Sequence, residues 1–232
     1  LTPIVGRPNW ATLSPEMKET LRALSRPKHT SLAIISGRAL ADVRARVGIE
    51  SLIYAGNHGL EIQGPDFEFV EPTAAARQKA LQQLSEHLAA DLSCFHSVHV
   101  EQKGLTTSIH FRGARAEEVK KIKSIVGIKL ATLPHFLITK GKMVYEIRPC
   151  VAWNKGAAVH WISARLAKRK ALAIYLGDDA TDEDAFAALP EGITVKIGGT
   201  EPTAAQYRLD NTEQVQKFLF WLAQMLHQPS FS

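Results

Sequence analysis

The stretch YLGDDATDEDAF, residues 175–186, decides the fold. Asp178, Asp179, Asp182, Glu183 and Asp184 crowd five acids into seven residues, directly after the apolar run 171–176. Strands of open α/β sheets present ligands at their C-terminal ends, and the first two acids fall at such an end. Carboxylates this close repel one another, and a compensating cation stabilises their ionised form. Oxygen-rich sites of this kind select hard ions, and Mg²⁺ takes one or two protein carboxylates together with waters and a phosphate. Asp178 is therefore a candidate metal ligand, with Asp179 and Asp182 beside it. A simpler reading suffices for Glu183 and Asp184: acids favour the N-terminus of the helix that follows.

Outward from this stretch, the two ends of the chain share one rhythm. Residues 13–25 read as a helix, with Ser14 as its cap and Pro15 at the first helical position. SLAII (31–35) is a short, fully apolar run that predicts a buried strand. A second helix follows and stops at Gly48. A second buried strand, SLIYAG, then ends in the polar loop Asn57-His58-Gly59. After position 151 come a helix that Asn154 can cap, the strand ALAIYLG, a helix at TDEDAFAAL, the strand ITVKIG and a closing helix. Alternating strands and helices predict a parallel α/β sheet.

The middle has another texture. Residues 72–92 form a long amphipathic pattern. SVHVEQKG and LTTSIHFR alternate polar and apolar residues, as half-exposed antiparallel strands do. AEEVKKIKSIV is helical, and HFLITKGKMVYEIRP reads as two strands around a turn at Lys140–Lys142. The expected organisation is an α/β core from residues 1–70 and 150–232, with an inserted α+β domain at 71–149.

The totals are those of an ordinary globular chain: 232 residues, 45% hydrophobic and 22% charged. The longest apolar stretch, FLFWLAQML, is broken by Gln224, and no signal peptide opens the chain. Cys94 and Cys150 form no CxxC, which suits a reducing, cytoplasmic setting and argues against a structural zinc site. The net charge is +5, but the basic residues are spread out. The densest groups, VKKIKS and ARLAKRK, read as solvated helix faces rather than a nucleic-acid patch. A mildly positive field helps draw in a small anion.

Two further motifs suit an anion. In IISGR, Ser36 and its backbone amides close the 31–35 strand just before a helix, which makes an anion site or an ordinary helix cap. In WNKG, Lys155 stands at a helix N-terminus, where the helix dipole disfavours a cation. A phosphate opposite it would explain the choice.

LTPIV, SGR, YAGNHGLEI, VEQKGLTTSIHFR, GKMVYEIRP, NKG and GDDATDEDAF occur in an order and spacing that resembles the trehalose-6-phosphate phosphatases of the haloacid dehalogenase-like superfamily. The resemblance covers nearly the whole chain. It implies a Rossmann-like core with a mobile α/β cap that carries substrate specificity. It also implies Mg²⁺ as cofactor and a sugar phosphate as substrate, with a trehalose-6-phosphate synthase fused to the chain or working with it. No nucleic-acid or membrane partner is expected.

In such enzymes a nucleophilic Asp attacks phosphorus, and a second Asp two residues later serves as acid and base. The DxDxT motif that carries both reads directly into LTPI, where this sequence starts. The pair is therefore expected upstream of Leu1, and the chain as given is expected to be inactive. DED at 182–184 has the right spacing but starts a helix, and we reject it as a substitute. The resemblance assigns Ser36 and Lys155 to the transferring phosphoryl group. It assigns Asp178 to Mg²⁺ directly and Asp182 to a more distant or water-mediated role, and leaves Asp179 open. Glu101, Lys103, Arg112, Lys142 and Glu146 match cap positions that read the sugar hydroxyls, each with a solvent-exposed strand charge as its alternative. Arg38, Asn57 and His58 would line the core side of the cleft, although His58 equally suits a structural role. Cap closure would exclude water.

Two other readings compete. One is a phosphatase for another sugar phosphate, against which EQKG and GKMVYE argue. The other is a non-catalytic phosphosugar-binding module. If the catalytic pair sits on a central strand upstream, this chain should carry two unpaired sheet edges and be poorly stable by itself.

Overall fold

A computed structural model describes residues 12–141, 143–166 and 171–227. In chain order its elements are α1 (Pro15–Ser25), β1 (Ala33–Ile35), α2 (Leu40–Val47), β2 (Ile53–Gly56), β3 (Glu61–Gln63), β4 (Glu68–Val70) and α3 (Pro72–Asp91). Then come β5 (His99–Gln102), β6 (Thr107–His110), α4 (Ala116–Ala131), β7 (Phe136–Gly141), β8 (Val144–Pro149) and α5 (Lys155–Leu166). The chain closes with β9 (Ile174–Gly177), α6 (Glu183–Ala187), β10 (Ile193–Ile197), β11 (Tyr207–Leu209) and α7 (Thr212–His227). Two compact units result: one up to Phe69 and again from Trp153 on, the other Val70–Ala152.

In the first unit, local signals set the helix ends. The Met17 amide donates to Ser14 Oγ at 3.1 Å, with Pro15 at the first position of α1. The Ala157 amide donates to Asn154 Oδ1 at 2.9 Å and caps α5. Gly48 closes α2 in the left-handed region at φ 66°. Strand alternation then sorts side chains to two faces. Leu52, Tyr54 and Ile34 pack with Met17, Leu21, Val47 and Leu219 of α1, α2 and α7. Ile53, Ala55 and Ile35 pack with Ala158 and Ile162 of α5. Helices thus cover both faces of the sheet.

That sheet is in two pieces, ordered β1-β2-β3-β4 and β11-β10-β9. The pairs β1–β2, β9–β10 and β10–β11 are parallel, and β2–β3 is antiparallel. Among the described residues β1 is hydrogen-bonded only to β2, and β9 only to β10. Both outer edges line one cavity of about 870 Å³, which Leu21 and Leu219 bound on one side and Val159 and Ile162 on the other. The run 31–35, expected to be fully buried, is only half-buried along β1 for this reason, and Ile174, Tyr175 and Leu176 of β9 are likewise half-buried. β2, with a strand on each side, is buried throughout.

The second unit is an antiparallel sheet, β5-β6-β8-β7, with α3 and α4 packed on it. Ile109, Tyr145 and Ile147 meet Leu84, Leu88, Ile122 and Val126 of these helices. β6 was expected to be half-exposed, but Thr107, Ser108 and Ile109 are all buried, because this strand lies inside the sheet rather than at its edge. The expected turn at Lys140–Lys142 also shifts. β7 runs on to Gly141, pairing Lys140 with Tyr145 and Gly141 with Val144, and Met143 takes the left-handed φ of 61°. Lys142 lies outside the described residues. Among those described, no helix is long and apolar enough to cross a membrane.

Candidate active site

β1 and β9 place their C-terminal ends at the same cavity. Ser36, Lys155, Asp178, Asp179 and Asp182 all line it. Ser36 follows β1 directly. Its amide donates to the Ala55 carbonyl at 2.9 Å, and its Oγ accepts from the Arg38 amide at 3.2 Å. The hydroxyl oxygen accepts there, so its own proton remains to be donated elsewhere. The α2 N-terminus is less open to an anion than the sequence suggests, because its Leu40 amide donates to Glu61 Oε1 at 2.9 Å.

Lys155 opens α5 and is buried, its side chain 6% exposed. Its Nζ lies 2.7 Å from Asp182 Oδ1. The cation at this helix start is therefore answered by a carboxylate of the chain itself. Asp182 is equally buried and fully engaged. Oδ1 also accepts from the Tyr175 hydroxyl at 2.8 Å, and Oδ2 accepts from the Asp179 amide at 2.9 Å. Burial pulls its pKa upward, but the Lys155 charge and the donated hydrogen bonds outweigh that and hold it below the ordinary carboxylate range. Gly177 makes room for this group: a Cβ there would stand 2.4 Å from the Asp182 carboxyl carbon.

The three expected metal ligands thus separate by role. Asp182 has both oxygens committed to protein donors, so a direct metal contact does not agree with its surroundings. Asp179 is exposed and serves as a cap, accepting from the Ala180 amide at 2.7 Å and from Thr181 Oγ1 at 3.3 Å. Asp178 is exposed at the end of β9 and has no hydrogen-bond partner among the described residues. Of the three, it is the carboxylate with its oxygens available, and it suits a hard cation. No group of three or more His, Cys, Asp or Glu gathers around a common point among the described residues.

Asn57 and His58 are buried, with left-handed φ of 48° and 60°. Asn57 donates to Arg38 O through its amide at 2.7 Å and to Glu61 Oε1 through Nδ2 at 2.7 Å. The His58 amide donates to Ser36 O at 2.9 Å. These are structural contacts, and they brace the Ser36 loop. Gly37 is needed beneath His58, since a Cβ there would lie 2.7 Å from the imidazole. Arg38 is paired with Asp42 at 2.8 Å.

In the second unit, Glu101 of β5, Ser108 of β6 and Glu146 of β8 stand in one cross-strand row. Lys103 Nζ lies 2.6 Å from Glu146 Oε1, with both side chains nearly buried, and Glu101 Oε2 lies 2.8 Å from His110 Nε2. Ile109 and Tyr145, which pair in the next row, face α3 and α4, so this polar row faces away from those helices. Arg112 falls outside the row, exposed in the turn after β6.

Four residues that hold the site's side chains and loops in place were not read as such from the sequence. Glu61 lies on β3, a strand the sequence did not reveal, and Tyr175 looked like an ordinary strand residue. Lys196 is buried, with Nζ 3.2 Å from Asp179 O and 3.3 Å from Glu183 Oε1. Its signal was a lone lysine inside the apolar strand ITVKI. Glu183 does more than favour a helix end, because it also accepts from Thr203 Oγ1 at 2.9 Å and the Ala204 amide at 2.8 Å.

Comparison with known proteins shows the family. The Trehalose-phosphatase family model matches residues 1–213. A trehalose-phosphate phosphatase of Mycobacterium tuberculosis is 36% identical over 98% of this chain, which spans 60% of that relative. Trehalose 6-phosphate phosphatase RA3 of Zea mays is 34% identical over 96% of this chain and 67% of its own length. The crystal structure of a trehalose-6-phosphate phosphatase related protein shares the fold at a TM-score of 0.86, with 21% identity over 97% of this chain and 93% of that one. The chain spans 60% of the length of the curated relatives it matches first. It belongs to the trehalose-phosphatase family.

Proposed function

We propose that the protein hydrolyses trehalose 6-phosphate to trehalose and phosphate. The observation that carries this reading is the meeting of Ser36 after β1, Asp178 after β9 and Lys155 at the start of α5 at one cavity. A hydroxyl donor, a buried ammonium and an available carboxylate are what a phosphoryl group with a bound cation requires. Ser36 donates its hydroxyl proton to a phosphoryl oxygen. Lys155, held by Asp182, neutralises the negative charge that builds up there. Asp178, with Asp179 beside it, would hold Mg²⁺, which supplies charge neutralisation on phosphate and nucleophile.

The attacking carboxylate has no candidate among the described residues. On this reading it arrives on an extended strand seated between β1 and β9, whose C-terminal end would reach Ser36 and Asp178. Glu101, Lys103 and Glu146, on one polar face of the second unit's sheet, read the sugar hydroxyls, together with Lys142 and Arg112. Buried charged groups in that role discriminate strongly against analogues that lack a hydroxyl. A synthase that makes the sugar phosphate, fused or separate, is the partner this activity calls for. Two free, exposed cysteines suit a reducing, cytoplasmic setting.

The test is phosphate release from trehalose 6-phosphate with Mg²⁺, comparing this chain with the same chain extended upstream by its coding sequence. Activity in the extended chain alone is expected. Activity in the short chain would refute the external nucleophile. Inactivity of both would refute the phosphatase reading.

A further inference from the structure

We propose that Tyr175 is a positioning residue for Lys155 and acts through the Asp182 carboxylate; this deepens the phosphatase reading and rests on it. Tyr175 is the second residue of β9, and alternation sends its ring to the side of Gly177 and α6, where Phe186 packs edge-on at 5.7 Å. Its hydroxyl donates to Asp182 Oδ1 at 2.8 Å, the oxygen that Lys155 Nζ meets at 2.7 Å. Burial first, and the Asp182 charge second, push the phenol's pKa far up, so it remains a proton donor.

Two donors on one oxygen share its charge. The phenol therefore weakens the hold of Oδ1 on the ammonium and leaves Lys155 free to turn part of its charge to a phosphoryl oxygen. The Asp179 amide on Oδ2 fixes the other half of the carboxylate, so the group cannot rotate away. Without the phenol, Oδ1 would serve Lys155 alone. The ammonium would be drawn back into the pair, and the carboxylate would be held by two donors instead of three. An ordinary core tyrosine could be replaced by phenylalanine with no effect on turnover, since the ring and its Phe186 contact remain.

The experiment is a double-mutant cycle on the full-length protein. Phosphate release from trehalose 6-phosphate is measured for the wild type, Tyr175→Phe, Lys155→Met and the double variant, with a melting curve for each. Tyr175→Phe should lower kcat by about tenfold, the scale of a hydrogen bond to a charged group, with KM little changed. In the Lys155→Met background the same substitution should change kcat by less than about twofold. Equal effects in both backgrounds would overturn the proposal, as would an unchanged kcat in the single variant. If Tyr175→Phe shows a broadened melt, inhibition by inorganic phosphate provides the second reading: weaker inhibition is expected only where Lys155 is present, and equal weakening without it would refute the proposal. An inactive wild type would instead sink the phosphatase reading itself.

Discussion

Truncating Asp182 to alanine should unfold the first unit more readily than any other single loss of a polar side chain described above. The Asp182 and Lys155 side chains are 5% and 6% exposed and meet at 2.7 Å. Removing one partner of a buried pair strands the other charge, at a cost of about 3–5 kcal/mol. Spread over a unit of this size, at about 2–4 °C per kcal/mol, the melting point should fall by roughly 6–20 °C. The orphaned Tyr175 hydroxyl adds to this. The Asp179 amide also loses its acceptor.

The assay is urea unfolding followed by tryptophan fluorescence. Trp153, Trp161 and Trp221 belong to the first unit, where Trp153 stacks on Phe69 and Trp161 packs tilted against it, so these three report that unit. The double variant Asp182→Leu with Lys155→Met should regain most of the loss, since apolar replacement of a buried pair is often neutral or better. The pH dependence follows from the lowered Asp182 pKa. A depressed folded-state pKa gives stability that is present above the ordinary aspartate value of about 3.9 and is lost as pH falls through the folded value. The wild type should therefore lose more stability on acidification than the apolar double variant. A loss below about 1 kcal/mol in Asp182→Ala would refute the reasoning, and so would a double variant as unstable as the two single losses added together.

Asp178→Asn should leave stability within about 0.5 kcal/mol, as for an exposed surface change, yet abolish the rise in melting point on adding Mg²⁺; an unchanged Mg²⁺ response would clear Asp178 of metal binding. Glu146→Gln should raise KM for trehalose 6-phosphate by about tenfold or more while leaving hydrolysis of a small aryl phosphate alone, because it takes the charge from the pair with Lys103; equal losses on both substrates would remove the sugar-reading role. Glu183→Ala should free the segment around Thr203 and Ala204, seen as new protease cleavage there, since two donors at 2.8–2.9 Å and Lys196 lose their acceptor.

What the sequence showed and what it hid follow from the range of each interaction. The α1 cap at Ser14, the α5 cap at Asn154 and the Gly48 stop depend on residues within four positions, and all appear as expected. Three-residue strands such as β3, β4 and β11 are too short for a period-2 signal, and they escaped it. The Asp182 network escaped because its partners come from three elements. Tyr175 reaches it from β9, Lys155 from 27 residues away on α5, and the Asp179 amide from the intervening turn.

The acid cluster read as one charge-crowded site therefore resolves into different roles. Asp179 caps, Asp182 organises, Glu183 ties down a segment, and Asp178 accepts no hydrogen bond from the described residues. Like charges tolerate such crowding because most already have their own donors, so the demand for an external cation falls on far fewer oxygens than five adjacent acids suggest. The strand edges carry the same logic in the apolar core. Ile34, Ile35 and Leu176 have side chains suited to full burial, yet they stand half-buried around the cavity. Both edges border the cavity that Ser36, Lys155 and Asp178 also line, so the apolar core and the polar site meet at one place.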